Sequence, residues 1–529
     1  MAKKVLKELT LEQILWNCRD ILRGKVEKAD NRNAVLSLTF LKFAGDKFEQ
    51  RRIAFHEEQK SKGLPEDFIN NLLERPETYG SKNVFFLQPN CRWTYIVEHA
   101  ADASIANILD TAMADIEQQN AVLEGALPQR FFTSLLGVDT KSLKALIDEI
   151  NKISPERFHE KDLIGRVYEY FLQEFSIDER KDKGEFYTPK CIVDLIAELI
   201  EPFKGKIYDP CCGSGGMFVQ SLRFVEAHGG NTSNISVYGQ ESTPSTFQLA
   251  KMNLAIRGIS HNLGRQPASS FADDQHRDQK FDFIMANPPF NLKKWRAADE
   301  LTTDPRWSGY ATPPESNANY AWILHMLSKL DVTDGIAGFL LANGALGADG
   351  VEYEIRKQLI ENDKIEAIIV LPREMFYSTD ISVTLWILNN NKSAINRNRE
   401  VCRDRKGEVL FVDLRTWNTN VYEKSYVQFT PEQIAAVKRI YSEFQKTDAE
   451  NYEQAELFRA VKIDEIREKK HSLVPSQYIE FIDRDVQIDH QAEMRRIQAE
   501  MRELLKREKQ SQTQLAEAFQ NLGYEINGK

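Results

Sequence analysis

Ile207-Tyr208-Asp209-Pro210-Cys211-Cys212-Gly213-Ser214-Gly215-Gly216, followed at once by MFVQSLRFVEA over 217–227, is the stretch that decides the fold. A short apolar strand runs into a glycine turn, and the turn opens a helix with an apolar face. Glycines let the backbone turn sharply and approach a ligand with no Cβ in the way, and an acid at the strand end can accept from a bound amine or hydroxyl. A nucleotide-like ligand is therefore expected at this strand end. It is a poor dinucleotide fingerprint, because the third glycine of GxGxxG would fall on Phe218. No GxxxxGK[ST] occurs, so phosphate cradling of ATP is unsupported.

Working outward, similar short runs recur at SVYGQE (236–241), FDFIMA (281–286), GIAGFLLAN (335–343), IEAIIVLP (365–372) and SVTLWIL (382–388). They are apolar on both faces, as strands covered by helices on two sides must be. Their spacing predicts right-handed crossovers and a doubly wound α/β sheet. Thr188-Pro189 and Thr243-Pro244 each read as a hydroxyl N-cap followed by proline at the first helical position. Upstream the pattern is helical almost throughout, with Leu163, Ile164, Val167, Tyr168, Phe171, Leu172 and Phe175 on one stripe. After about 415 the sheet pattern ends, and 430–529 reads as polar and mostly helical. The expected division is a helical N-terminal domain at 1–175, a catalytic sheet domain at 176–420 and a helical C-terminal region at 421–529.

The chain has 529 residues, and 69 Lys+Arg against 79 Asp+Glu leave a net charge of −10. Bulk positive charge therefore cannot be how it grips nucleic acid; any such contact must be local or shared with a partner. No apolar run is long enough to span a membrane. The N-terminus, MAKKVLKELTLEQILWN, reads as a helix rather than a leader, so a soluble, cytoplasmic protein is expected. Six scattered cysteines give neither a disulfide framework nor a zinc pair, and no metal is expected.

Two further signals sit at strand ends. Glu241 closes the second strand, 25 residues beyond Gly216, where an acid typically accepts from ribose hydroxyls. Asn287-Pro288-Pro289-Phe290 follows FDFIMA directly. The prolines hold the Asn287 side chain and the Pro288 carbonyl as fixed acceptors in the crevice of the sheet, beside an aromatic plate. Such a site suits methylation of an exocyclic aromatic amine, a weak nucleophile whose lone pair is delocalised into its ring. Two acceptors on its two N–H groups favour a pyramidal nitrogen and stabilise the positive charge that develops. A base in a duplex must be flipped out to reach the pocket, and stacking on Phe290 offsets the cost. Cytosine C5 chemistry needs a Pro-Cys nucleophile; Pro210-Cys211 exists but lies on the cofactor side, so Cys211 and Cys212 read as packing residues.

Taken together, the motifs resemble the DNA adenine-N6 methyltransferases, and specifically the modification (HsdM) subunits of type I restriction-modification systems. The resemblance spans about residues 10 to 415. It rests on VLSLTFLKFAGDKFEQR (35–51), NILDTAMADIEQQNAVLEGALP (107–128), DLIGRVYEYFLQEF with GEFYTP (184–189), DPCCGSGG, NPPF and SNANYAWILHML (316–327). It implies a Rossmann-like methyltransferase domain using S-adenosylmethionine. Carried over by position, Glu185, Phe186, Tyr187, Thr188, Pro189 and Lys190 contact the methionine part of that cofactor. Asp209, Gly213, Ser214, Gly215 and Gly216 line the glycine loop, Glu241 holds the ribose, and Asn287 to Phe290 form the transfer site. Related sequences often carry Ala-Asp-Thr-Phe where this chain has Ala268-Ser269-Ser270-Phe271, so Asp273 or Asp274 is the candidate replacement for the acid. Phe376 or Tyr377 is the candidate second stacking face.

The resemblance also implies partners: DNA, a separate specificity subunit carrying two modification chains, and a possible restriction and translocase subunit. Met494, Ile497, Met501 and Leu504 follow 3-4-3 spacing, resumed at Leu515, Ala518 and Leu522, which marks the C-terminal helix as the docking candidate against a plain surface helix. Two rival functions remain: an NPP[FY] methyltransferase acting on RNA or a protein glutamine, and a non-catalytic scaffold with the same fold.

Overall fold

The computed structural model describes residues 10–80, 84–135, 137–153, 188–376, 382–394, 401–418, 421–422, 426–446, 452–482 and 490–521. The apolar stripe expected over 163–175 lies outside them.

The N-terminal segment is helical, as its periodicity requires. Its first helix, Leu11–Leu22, opens on a capping box in which Thr10 and Gln13 satisfy each other's backbone N–H groups. The 34-residue helix Lys28–Ser61 buries Val35, Leu38, Phe40, Leu41 and Phe48 against helices Ile105–Gln119 and Thr140–Ile150. The same core takes in Leu249, Met252 and Ala255 from helix Pro244–Ile256, so the helical segment packs directly on the sheet domain.

That domain is built on a ten-stranded sheet: β1 Gly205–Asp209, β2 Ile235–Gly239, β3 His261–Asn262, β4 Phe283–Ala286, β5 Ile336–Ala342, β6 Ile365–Val370, β7 Val383–Asn389 and β8 Glu408–Asp413, with β11 Glu453–Gln454 and β12 Phe458–Lys462 at one edge. A separate ribbon pairs β9 Val421–Tyr422 with β10 Tyr426–Val427. The order is β11-β12-β8-β6-β7-β5-β4-β1-β2-β3. β1 runs parallel to both β2 and β4, so the chain winds outward in two directions from the β1/β4 junction. In open α/β sheets that junction is the crevice where ligands bind, at the carboxyl ends of the strands.

Burial on both faces is complete in β4 to β7. Neighbouring side chains divide between two cores, Ile207 and Phe283 on one side, Tyr208 and Ile284 on the other. Helices Lys190–Ile200, Gly216–Ala227 and Pro431–Phe444 cover the first face; Asn319–Lys329 and Val351–Glu361 cover the second.

Two features depart from the sequence reading. β7 is antiparallel to both β5 and β6: its chain turns back after β6 and slots between them. An apolar run carries no direction, so this was not legible. The sheet also does not end near 415. β12 pairs antiparallel with β8 over five residues, and Val437, Ile440, Tyr441 and Phe444 complete a core of the sheet. Residues 430–446 and 452–482 thus belong with the sheet rather than with a tail beginning at 421. The C-terminal helix proper is His490–Asn521. Among the described residues no helix is long and apolar enough to cross a membrane.

Candidate active site at the β1/β4 crevice

The glycine loop and the Asn-Pro-Pro-Phe turn leave adjacent strands. At the end of β1, Asp209 is buried and accepts from the Cys211 N–H at 3.0 Å. Burial pushes its carboxyl up to about 7, with the Glu241 charge adding to the effect. Gly213 and Gly215 sit at φ 53° and 81°, the left-handed region that glycine takes without strain. A Cβ on Gly213 or Gly216 would meet nothing within 4 Å, which leaves an open cradle on that side of the loop. Asn253 donates to the Ser214 carbonyl at 2.7 Å and fixes the loop from the neighbouring helix.

Glu241, at the end of β2, closes the cradle. Its Oε2 accepts from Gly213 N at 3.1 Å and its Oε1 from Thr243 N at 2.8 Å. The glycine loop and the acid expected to partner it are thereby one unit. Gln240 N donates to the Asp209 carbonyl, and Cys212 N to the Gln240 carbonyl, each at 3.0 Å, which zips the two strand ends together. Burial and the Asp209 and Glu241 carboxylates push the Cys211 and Cys212 thiols well above their usual range. Neither forms a thiolate readily, which suits packing rather than nucleophilic attack.

Across the junction, Asn287 follows β4. Its Nδ2 donates to Thr188 Oγ1 at 2.9 Å, while its buried Oδ1 has no hydrogen-bond partner among the described residues. A buried acceptor without a donor is uncommon and costs free energy until something supplies one. Among the described residues nothing donates to the Pro288 carbonyl either. Phe290 is half-buried, with Phe376 edge-on to it at 6.1 Å and 85°. Phe376 is 2% exposed, so its ring leaves no open face for a base. Tyr377 lies outside the described residues, as do Glu185, Phe186 and Tyr187.

Three expectations shift. Thr188 does not cap a helix: the helix begins at Lys190 with Pro189 as its N-cap, and the Thr188 hydroxyl turns to Asn287 instead. Thr243 is an N-cap followed by proline, but its hydroxyl caps nothing. Asp274 is committed elsewhere, ion-paired to the buried Lys329 at 2.5 Å, while Asp273 stays exposed on the loop. That loop is held by groups the sequence reading overlooked. Gln240 Nε2 donates to the Ala268 and Asp273 carbonyls at 3.1 and 2.7 Å. Arg306 donates to the Ser270 and Phe271 carbonyls at 2.8 and 2.7 Å. Arg306 lies in the segment that follows Phe290, so the two loops of the crevice are tied to one another. Their partners lie far apart in the chain, and no local pattern announces them.

Residues 159–486 match the N-6 DNA methylase family, and residues 11–152 match the HsdM N-terminal domain. The chain belongs to the N-6 DNA methylase family. Within it, the chain groups with methylase subunits of type I restriction enzymes. It is 39% identical to the HindI methylase subunit of Haemophilus influenzae, over 80% of this chain and 94% of that one. It is 34% identical to the MjaIX methylase subunit of Methanocaldococcus jannaschii, over 98% and 92%. The methyltransferase subunit of a type I system from Streptococcus thermophilus shares the fold, with a TM-score of 0.71 and 24% identity over 89% of this chain and 99% of that one. This methylase is thus an adenine-specific DNA methyltransferase by family, and its crevice has to be read in that light.

Proposed function

We propose that this chain transfers a methyl group from S-adenosylmethionine to N6 of an adenine flipped out of DNA, at a site selected by a separate specificity subunit. The observation that carries the chemistry is Asn287 Oδ1, a buried acceptor at the strand end that has no donor among the described residues, three positions before a half-buried aromatic ring. S-adenosylmethionine, when bound, supplies an electrophilic methyl group on a sulfonium centre. The cradle fits it: open space beside Gly213 and Gly216, Asp209 for its amine, and Glu241 for its ribose hydroxyls. Thr188, Pro189 and Lys190 border the Asn287 end, and Ser214 and Gly215 complete the glycine loop.

The remaining work falls to the protein. Phe290 stacks on the extruded base and offsets the cost of flipping, a few kcal/mol, by about 1–3 kcal/mol. Asn287 Oδ1 and the Pro288 carbonyl accept from the two N–H groups of the amine, turning its lone pair out of the ring plane. Both acceptors carry partial negative charge where positive charge grows in the transition state, and both are already oriented before the reaction starts. Pro288 and Pro289 limit the backbone motion that would blur this geometry.

Partner docking is assigned to helix His490–Asn521. Met494, Ile497, Met501, Leu504, Leu505, Leu515 and Phe519 are all exposed on it. An apolar stripe of that kind on a helix about 48 Å long is a docking face for another chain. A specificity subunit is the occupant favoured by the acidic charge of −10, since DNA affinity then comes from the assembly.

Supplying labelled S-adenosylmethionine with DNA, RNA and protein substrates tests the assignment. Label recovered as N6-methyladenine in DNA is expected. Label found only in RNA or in a protein glutamine, or in nothing at all, would transfer the case to the rival functions.

A further inference from the structure

The four residues after Phe290, Asn291-Leu292-Lys293-Lys294, form a loop that is built rather than slack. Asn291 N donates to Asn319 Oδ1 at 3.0 Å, and Asn319 Nδ2 returns a bond to Asn291 Oδ1 at 2.9 Å. Ala318 N donates to the Leu292 carbonyl at 2.9 Å and Lys294 N to the Glu315 carbonyl at 3.0 Å. Asn291 and Lys294 both lie at φ 54°. Asparagine tolerates that conformation; a lysine held there costs on the order of 1 kcal/mol and persists because its surroundings impose it.

The charged run KKWR divides by direction. Arg296 is half-buried and spends its guanidinium on the carbonyls of Ala297, Ala298, Glu300 and Pro313. Trp295 donates to the Pro314 carbonyl at 2.8 Å and packs on Phe271 and Trp307. Lys293 and Lys294 are exposed, and among the described residues neither amine has a hydrogen-bond or ion-pair partner. Of the acids close by in sequence, Glu300 accepts from Ala297 N, and Glu315 is exposed opposite Lys294. Two unpaired amines thus project from a fixed loop beside the ring assigned to base stacking, in a chain of net charge −10.

We propose that Lys293 and Lys294 are a phosphate clamp for the DNA strand that carries the flipped nucleotide. This rests on the adenine-methylation assignment above. Lys293 lies three residues from Phe290, so their Cα atoms are at most about 11 Å apart, and a lysine stem bridges outward from there to the backbone of a base stacked on Phe290. The ligand chemistry is the phosphodiester, not the base: the contact positions the strand and reads no sequence. Fixing the lysine backbones in advance confines the entropy cost of binding to the side chains.

The test uses the full chain assembled with its specificity subunit, with binding to target and non-target duplexes measured across a salt series. Each lost phosphate contact lowers the slope of log K against log salt by about 0.9. K293Q with K294N should flatten the slope by nearly two on both duplexes, K293Q alone by about one, and K293R with K294R should hold it at the wild-type value. Asparagine at 294 removes the charge while accepting the left-handed backbone. S-adenosylmethionine affinity should stay within about twofold. An unchanged slope in the neutral variants, or loss of slope in the arginine pair, overturns the clamp. A wild-type assembly that binds and methylates DNA while the variants keep its slope refutes the clamp alone; one that does neither refutes the methylation assignment itself.

Discussion

Thr188→Val separates two roles for one hydroxyl. The substitution keeps the side-chain volume and removes the oxygen that accepts from Asn287 Nδ2 at 2.9 Å. The χ2 torsion of asparagine is broad, so without that bond the amide plane is no longer pinned where Oδ1 faces the crevice. A neutral hydrogen bond of this kind is worth about 0.5–1.5 kcal/mol net. Spent on orientation in the transition state, that is a fall of roughly 2- to 13-fold in kcat at 1.36 kcal/mol per decade. Single-turnover methyl transfer under saturating cofactor and DNA reads it directly. Thr188→Val should lose rate by that factor with KM for S-adenosylmethionine within about twofold, and Thr188→Ser should restore it. A wild-type rate in the valine variant, or a defect confined to cofactor KM, would refute the positioning role and return Thr188 to the cofactor contact that the sequence resemblance implies.

Other outcomes follow from the same geometry. Asp209 titrates near 7 and must be ionised to accept from the cofactor amine, so it carries a proton at pH 6 that binding has to displace; affinity for S-adenosylmethionine should fall up to about tenfold per pH unit below 7, and Asp209→Asn should flatten the profile. A profile already flat in the wild type between about pH 5.5 and 8 would exclude that contact. Phe290→Ala should weaken productive DNA binding by about 5- to 150-fold, the equivalent of 1–3 kcal/mol of stacking, while Tyr and Trp retain most of it; full activity in the alanine variant would dismiss base stacking there. Met501→Glu with Leu504→Glu, at side chains 57% and 60% exposed, should leave the melting temperature unchanged and prevent co-purification with the specificity subunit. Normal assembly would relocate the docking face.

Much of this is legible in the sequence. The glycine turn after β1, the acid after β2 and Asn-Pro-Pro-Phe after β4 each follow an apolar strand, and the crossover rules then bring the ends of such strands to one edge of a sheet. Glu241 hydrogen-bonded to Gly213 is that rule made local. Direction and distance were what the letters withheld. β7 is antiparallel although its run looks like the others, and β12 joins the sheet from within a polar stretch because one edge of β8 needs a partner. Thr188 reaches Asn287 across 99 residues, and Arg306 reaches the Ser270 carbonyl across 36. Such contacts are set by packing of the whole domain, so Thr188-Pro189 reads locally as a helix cap and nothing in the neighbouring sequence singles out Arg306. In the same way, nothing local in the sequence shows that Lys329, 55 residues on, holds Asp274.

The central claim is that Asn287 Oδ1, which has no donor among the described residues, accepts from the amine that is methylated. Single-turnover transfer by Asn287→Ala, alongside its affinity for S-adenosylmethionine, tests this most directly. Removing a preorganised group that stabilises transition-state charge costs about 100- to 1000-fold in rate. The predicted result is a loss of that size with cofactor binding within a few-fold of wild type. Methylation within about threefold of wild type, far short of that loss, would contradict the account.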